Sequence, residues 1–366
     1  MKNKCQGCGA VVQTENKNLP GYIRRDVLAK QENEFYCERC FNLTHYNRKI
    51  DIKIDEEEFR KNIEALAKRD VLVVNIVDIF DLEGTVIYDL DKLFPRNRKL
   101  IVGNKFDLFL DSVKKEKVKN YFQDYLHRNN ISFTETILIS SFKKADIELL
   151  IEVILRLKGK KDVCFIGTTN VGKSTLINGV IRKLGLNYQP LTTSAAISTT
   201  LGLVNISLPD GSDLIDTPGL PNHRQANYYL SHKHQELLAP KKFIRPKVYQ
   251  LLPSQTLFIG GFCRLDFTSG LSSSFVVYVP QAIKIHRTKI TNASEFYQLH
   301  KDDILKVPNA EEREKLGDFR KYHFSFKYEK KDISISGLGF ITLIGEGEVD
   351  FYCFEKIKVG FRSAII

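Results

Sequence analysis

Two groups of residues in this sequence have types and spacings that chemistry can use. The first is Gly167-Thr168-Thr169-Asn170-Val171-Gly172-Lys173-Ser174-Thr175. It follows an apolar run at 162–166 and opens an amphipathic stretch, the strand–loop–helix setting of a phosphate-binding loop. Glycines there let backbone N–H groups curl around a β-phosphate, and the helix N-terminus adds partial positive charge. Lys173 is expected to reach the β- and γ-phosphates, and Ser174 to ligate Mg²⁺. Downstream, 213–219 reads as a strand ending in Asp216-Thr217-Pro218-Gly219. Asp216 is expected to hold Mg²⁺ through water, and the Gly219 N–H to sense a γ-phosphate. The polar loop between them carries Thr192, Thr193, Ser198, Thr199 and Thr200. One threonine should close onto Mg²⁺ and the γ-phosphate, and Thr200 is favoured over Thr199.

The base is read elsewhere. Asn104-Lys105-Phe106-Asp107 follows an apolar run, and its aspartate can accept hydrogen bonds from guanine N1–H and N2–H₂. Adenine offers neither donor at that edge. Asn104 is expected to buttress the loop and the Lys105 stem to pack along the purine plane. Ser140-Ser141-Phe142-Lys143 could offer a backbone N–H to guanine O6. Together these elements predict binding of GTP or GDP with Mg²⁺.

The second group is Cys5-x-x-Cys8 and Cys37-x-x-Cys40, with 28 residues between the pairs. Two such turns complete a closed tetrahedral S₄ site, so a structural Zn²⁺ is expected. Metal binding would supply on the order of 10 kcal/mol of folding free energy to a segment too small to stabilise itself. Cys164, Cys263 and Cys353 are scattered in apolar contexts and read as buried thiols. His45 reads as a surface residue.

These loops need elements to hold them. Residues 70–79, DVLVVNIVDI, form a nearly continuous β-branched run, as in a parallel strand buried on both faces. Further strands are expected at 99–102, 136–139 and 162–166, with helices at 112–129 and 144–158. Strands alternating with helices argue for a doubly wound α/β domain with a mostly parallel sheet.

Hydrophobic residues make up 43% and charged residues 27% of 366 positions, the balance of a folded soluble protein rather than a disordered or collagenous one. No apolar run reaches the ~18–20 residues that span a bilayer. A cytoplasmic protein without a membrane partner is therefore expected. The formal charge is +11, of which +7 falls in residues 221–366. That suggests an anionic partner.

The motif order is unusual. A conventional GTPase runs P-loop, switch threonine, DxxG, NKxD and then the Ser-rich loop. Here NKxD at 104–107 and the Ser-rich loop at 140–143 come before the P-loop. The sequence resembles the circularly permuted GTPases and, with its cysteine pairs and long C-terminal segment, the YqeH family of bacterial ribosome-assembly GTPases. The resemblance implies three parts: a zinc module at 1–50, a permuted GTPase domain at 51–221, and a C-terminal α+β or mostly β domain at 222–366. It also implies a cytoplasmic, monomeric switch acting through ribosomal RNA or a small-subunit intermediate, and K⁺ bound with help from Asn170.

Two departures stand out. Leu220 occupies the position where Ras-like enzymes carry a water-orienting Gln, so slow intrinsic hydrolysis is expected. Ile197-Ser198-Thr199-Thr200 replaces the family's Pro-Gly-Thr-Thr. Leu220 also sustains a competing reading, a zinc-containing RNA-binding protein with nucleotide-gated binding and negligible turnover.

In the last third, two basic clusters stand out, Lys241-Lys242-x-x-Arg245-x-Lys247 and Lys284-x-x-Arg287-x-Lys289. Tyr249, Phe258, Phe262, Phe275 and Tyr278 lie among them. Each aromatic alone reads as core, while the basic surface as a whole fits RNA. His232 and His234 have a metal-like spacing but no evident carboxylate or cysteine partner, and read as a mobile surface segment.

Overall fold

The computed structural model describes residues 5, 10–17, 21–28, 37–38, 56–186, 203–240 and 243–366. β1 (Val71–Asp78) and β2 (Lys99–Asn104) are buried along their whole length, as their unbroken apolar runs require. They join β3 (Glu135–Leu138), β4 (Asp162–Gly167), β5 (Val204–Ser207) and β6 (Asp213–Asp216) in one sheet of order β3-β2-β1-β4-β6-β5. Every pairing is parallel except β5 with β6.

Apolar positions at helical spacing cover both faces. The helix Lys115–Arg128 buries Val118, Phe122, Tyr125 and Leu126. The helix Lys144–Lys158 buries Ile147, Leu150, Ile154 and Leu157. The chain builds β1, β2 and β3 to one side of β1, then returns to lay β4 on its other side. Strand order therefore switches between β1 and β4, which opens a crevice at their C-terminal ends, the usual ligand position in an open α/β sheet.

The last third forms two antiparallel five-stranded sheets. One has the order β16-β13-β14-β10-β7 and the other β11-β8-β9-β15-β12. Their strands are β7 (Lys247–Leu251), β8 (Gln255–Ile259), β9 (Cys263–Gly270), β10 (Ser273–Tyr278) and β11 (Ile285–Lys289), followed by β12 (Phe319–Phe326), β13 (Lys331–Ile335), β14 (Gly339–Ile344), β15 (Gly347–Phe354) and β16 (Val359–Ser363). One apolar core joins the sheets, with Phe267, Phe275 and Phe326 meeting edge-on or tilted inside it. The helix Ile290–His300 covers the far side of Phe258 with Phe296 and Tyr297.

This placement bears out the reading of single aromatics as core for three of the five. Phe258, Phe262 and Phe275 are at most 1% exposed. They fill the core and cannot stack on bases, while Tyr249 and Tyr278 are half-buried. Alternation marks two faces of each strand, and here many strands are covered on both. The reading of His234 is corrected: its Nδ1 lies 2.7 Å from Glu312 Oε2, a buried carboxylate, so it is anchored. His232 is exposed.

The antiparallel sheets dock on the parallel one. Phe340 packs on Phe80 with ring centroids 5.0 Å apart, and Phe80 packs on Phe109 at 5.3 Å. The Ile244 N–H donates to the Leu108 carbonyl at 2.9 Å. Ile244, Phe340 and Ile365 share one core with residues of β1 and β2. Each fully buried apolar side chain of this size contributes about 1.5–3 kcal/mol.

Candidate functional site

The P-loop leaves β4 at Gly167 and enters the helix Lys173–Leu184 through Gly172, whose φ is +89°. A Cβ at Gly172 would sit 2.4 Å from Asn104 Nδ2, so the position demands glycine for both conformation and space. Two backbone bonds stitch the loop to the DxxG segment: Thr169 N–H to Leu220 O at 2.9 Å and Leu220 N–H to Gly167 O at 3.0 Å. A Cβ at Gly219 would lie 3.3 Å from the Thr169 Cα, which shows how closely the two segments pass. Val171 and Lys173 are buried. The Lys173 amino group bonds to Asp216 Oδ1 and the Thr217 carbonyl. The lysine assigned to phosphate and the aspartate assigned to Mg²⁺ thus meet at one point, beside a helix N-terminus.

The loop at 104–107 is held against the P-loop by Asn104. Its Nδ2 donates to the Val171 carbonyl at 2.8 Å, and its Oδ1 accepts the Ser141 N–H at 3.1 Å. Lys105 takes a left-handed conformation, φ +66°. Its Nζ is fixed 2.6 Å from Asp78 Oδ2, which stretches the stem along the loop. Asp107 Oδ1 is shielded from solvent and accepts no hydrogen bond. A buried carboxylate oxygen without a donor is costly unless a ligand supplies one, which fits the role assigned to it.

The Ser-rich loop differs from expectation. Its amides already have acceptors: Ser140 N–H bonds to Asp146 Oδ2 at 2.7 Å, Ser141 N–H to Asn104, and Phe142 N–H to Ser140 Oγ at 3.3 Å. A bond to guanine O6 requires one of these to exchange, and the Phe142 contact is the longest. The Phe142 side chain is 79% exposed.

These segments surround one cavity of about 640 Å³, lined by Asn104, Lys105, Asp107, Ser141, Phe142, Thr169, Asn170, Gly172, Ser174 and Thr175. Ser174 and Asp216 supply hard oxygen donors, the ligand type that Mg²⁺ selects. Thr200 and the other switch threonines lie outside the described residues.

The cavity has a further wall that motif reading did not find. Gln225, Pro280, Gly337 and Gly339 line it from the C-terminal third, and Asp78 and Asp81 line it from the end of β1. Asp81 Oδ2 accepts Gln225 Nε2–H at 2.9 Å and the Gly337 N–H at 2.7 Å, while its Oδ1 accepts the Gly84 N–H at 3.1 Å. Burial, helped by the charge of Asp78, pushes the Asp81 carboxyl up to about 6, while the Gln225 and Gly337 donors pull the other way. The available signal was two aspartates three residues apart at the C-terminal edge of a buried strand.

At the N-terminal end, Cys5 and Cys37 are each 1% exposed and share a small apolar cluster with Ile23. The Cys37 N–H donates to Cys5 Sγ at 3.1 Å, which places the two residues side by side. Cys8 and Cys40 lie outside the described residues, among which no group of three or more His, Cys, Asp or Glu could hold a metal. Cys164, Cys263 and Cys353 are buried thiols. Arg245, Lys284, Arg287 and Lys289 are exposed, and Lys241 and Lys242 lie outside the described residues. No described helix is long and apolar enough to cross a membrane.

Comparison with known proteins agrees with this geometry. Residues 162–244 match the family model described as 50S ribosome-binding GTPase, and residues 272–365 match the model described as YqeH-like, C-terminal. The chain is 36% identical to the uncharacterized protein YqeH of Bacillus subtilis, with 99% of each chain covered. It is 26% identical to NO-associated protein 1, chloroplastic/mitochondrial, of Arabidopsis thaliana, over 93% of this chain and 69% of that one. A shorter match, 41% identical and covering 18% of each chain, is to the small ribosomal subunit biogenesis GTPase RsgA of Alcanivorax borkumensis.

Proposed function

The chain belongs to the YqeH-type GTPases and hydrolyses GTP, and from that premise we propose that it is a GTP-driven switch in ribosome assembly. One observation carries the reading: phosphate-binding, base-reading and C-terminal residues all face a single cavity. Nucleotide state and the pose of the C-terminal sheets therefore share a wall.

In this reading residues 51–221 form a circularly permuted GTPase domain, supported by β2 and β3, which precede the P-loop strand β4 in the chain and share its parallel sheet, with β1 between them and β4. Residues 222–366 form the partner-binding domain. Lys173 and the P-loop amides hold the phosphates, Asp107 reads guanine, and Gly219 reports the γ-phosphate. Ser174, Asp216 and Thr200 hold Mg²⁺, which supplies charge neutralisation on the phosphates when bound. Leu220 cannot orient water, so turnover is slow until a partner or K⁺ near Asn170 assists; turnover compared in K⁺ and Na⁺ isolates the second route. The competing picture of a binding protein with negligible turnover rests on Leu220 alone, and GTPase membership weighs against it.

The partner is pre-ribosomal, with ribosomal RNA as the contact. The +11 charge and the exposed Lys284, Arg287 and Lys289 supply the electrostatics. The names of similar proteins divide between subunits, small for RsgA and 50S for the family model. We favour the small subunit. Co-sedimentation with separated subunits, in GTP analogue, GDP and no nucleotide across a salt series, tests this. Salt-sensitive association with the small subunit in GTP analogue is expected. Equal partition in all three states removes the switch.

A Zn²⁺ on Cys5, Cys8, Cys37 and Cys40 completes the proposal, supported by the sulfur–amide contact between the first and third. The purified chain is expected to carry one zinc, and Cys5→Ser to lose it. Full metal content in that variant would remove the site.

A further inference from the structure

Residues 78–88 stand between the base-reading loop and the C-terminal sheets. On the inner side, Asp78 Oδ2 holds Lys105 Nζ at 2.6 Å, and Asp78 Oδ1 accepts the Phe80 N–H at 2.9 Å. On the outer side, Asp81 takes the Gln225 and Gly337 donors described above, and Asn222 Nδ2 donates to the Gly84 carbonyl. The Thr85 hydroxyl ties the two ends, accepting the Asp78 N–H at 3.1 Å and donating to the Asp81 carbonyl at 2.6 Å. Gly337 fits tightly there: its φ is +80°, and a Cβ would approach the Ala226 nitrogen to 3.0 Å. One short turn therefore connects the amino group of Lys105 to three residues of 222–366, Asn222, Gln225 and Gly337.

We propose that Asp78 is a positioning residue for guanine recognition, and that Gln225 and Gly337 hold it in place through Asp81. The C-terminal sheets then sense whether the purine end of the site is filled. This rests on the assignment of Lys105 and Asp107 to the base. Coupling free energies are reciprocal, so a partner that pulls the sheets away loosens Lys105 and speeds nucleotide release. Input from the γ-phosphate is a different route, running from Gly219 through Asn222 into the same turn, and experiment separates the two.

In the full chain, amide exchange across residues 333–340 is expected to slow to the same degree with GDP and with a GTP analogue, and not with pyrophosphate. Slowing by the triphosphate alone, by pyrophosphate, or by no nucleotide overturns the proposal. Gln225→Ala is expected to raise the GDP dissociation rate about fivefold, part of the weight of one hydrogen bond to a carboxylate because Asp81 keeps its other donors, while pyrophosphate affinity stays constant. Asp78→Ala should raise it more than tenfold, since its bond is charge-assisted, and Asp78→Glu should recover part of the loss. If Asp107→Asn fails to alter base preference, the base assignment itself is wrong. If it does alter base preference while Gln225→Ala leaves GDP release unchanged, only the coupling is wrong.

Discussion

Arg362→Met is expected to destabilise the folded chain by about 3–5 kcal/mol, the cost of stranding buried carboxylates by removing their shared cation. The Arg362 side chain is 6% exposed, with Nη1 2.5 Å from Glu83 Oε2 and Nε 3.6 Å from Asp332 Oδ2. Asp332 is fully buried and also accepts the Thr342 hydroxyl at 2.7 Å and the Ile365 N–H at 3.1 Å. Methionine fills similar volume, so the loss is chiefly electrostatic. Denaturant unfolding followed by circular dichroism suits a chain that has no tryptophan. The double change with Glu83→Gln should recover part of the loss, because one stranded charge is gone.

The deficit should also depend on pH in a definite direction. Burial raises the Asp332 carboxyl above its ordinary range, and Arg362 is the main opposing influence. A carboxyl with a raised native pKa binds protons more tightly when folded, so stability falls as pH rises through that range. Without Arg362 the rise is larger, and the penalty should shrink as the solution is acidified. A change under about 0.5 kcal/mol at neutral pH, inside the usual surface range, would mean the cluster is solvated and not a buried linkage.

Asp107→Asn is expected to lower guanine-nucleotide affinity by roughly 10²–10⁴, two charge-assisted hydrogen bonds at about 1.5–3 kcal/mol each. The same change should raise affinity for xanthine nucleotides, whose 2-oxo group can accept a hydrogen bond where guanine's amino group donates one. Competition binding with GDP and xanthosine diphosphate reads both effects at once. An unchanged preference for guanine would show that the orphan oxygen of Asp107 has some other purpose.

Residues with a strong local reason for their type were legible in the sequence. β1 was readable because a strand covered on both faces has no polar alternation, and the P-loop because Gly172 answers to conformation and space together. Lys173, Asn104 and Asp107 could be singled out because each belongs to a short string with one chemical use. Asp78 and Asp81 were overlooked for the opposite reason. Their partners are Lys105, Gln225 and Gly337, and no local pattern announces a contact between residue 81 and residue 337. The C-terminal aromatics were ambiguous because a strand packed on both faces uses Phe258 and Phe275 alike as filling. The Ser-rich loop lines the cavity with Ser141 and Phe142, but its N–H groups proved to be engaged by Asp146, Asn104 and Ser140. Side-chain acceptors brought in by folding are not visible in a string of serines.

The bond between Glu83 and Arg362 joins positions 279 residues apart, which has a consequence for how the molecule is made. At roughly 5–20 residues per second, translation needs roughly 15–55 s to supply the arginine after the glutamate has been added. During that interval Phe80 and its apolar neighbours have no cover from Phe340 or Ile365. Asp78, Asp81 and Glu83 are then hydrated carboxylates scattered through the exposed stretch, and mutual repulsion between nascent chains keeps it from sticking. The same charges that require partners in the finished protein act beforehand as guards against aggregation.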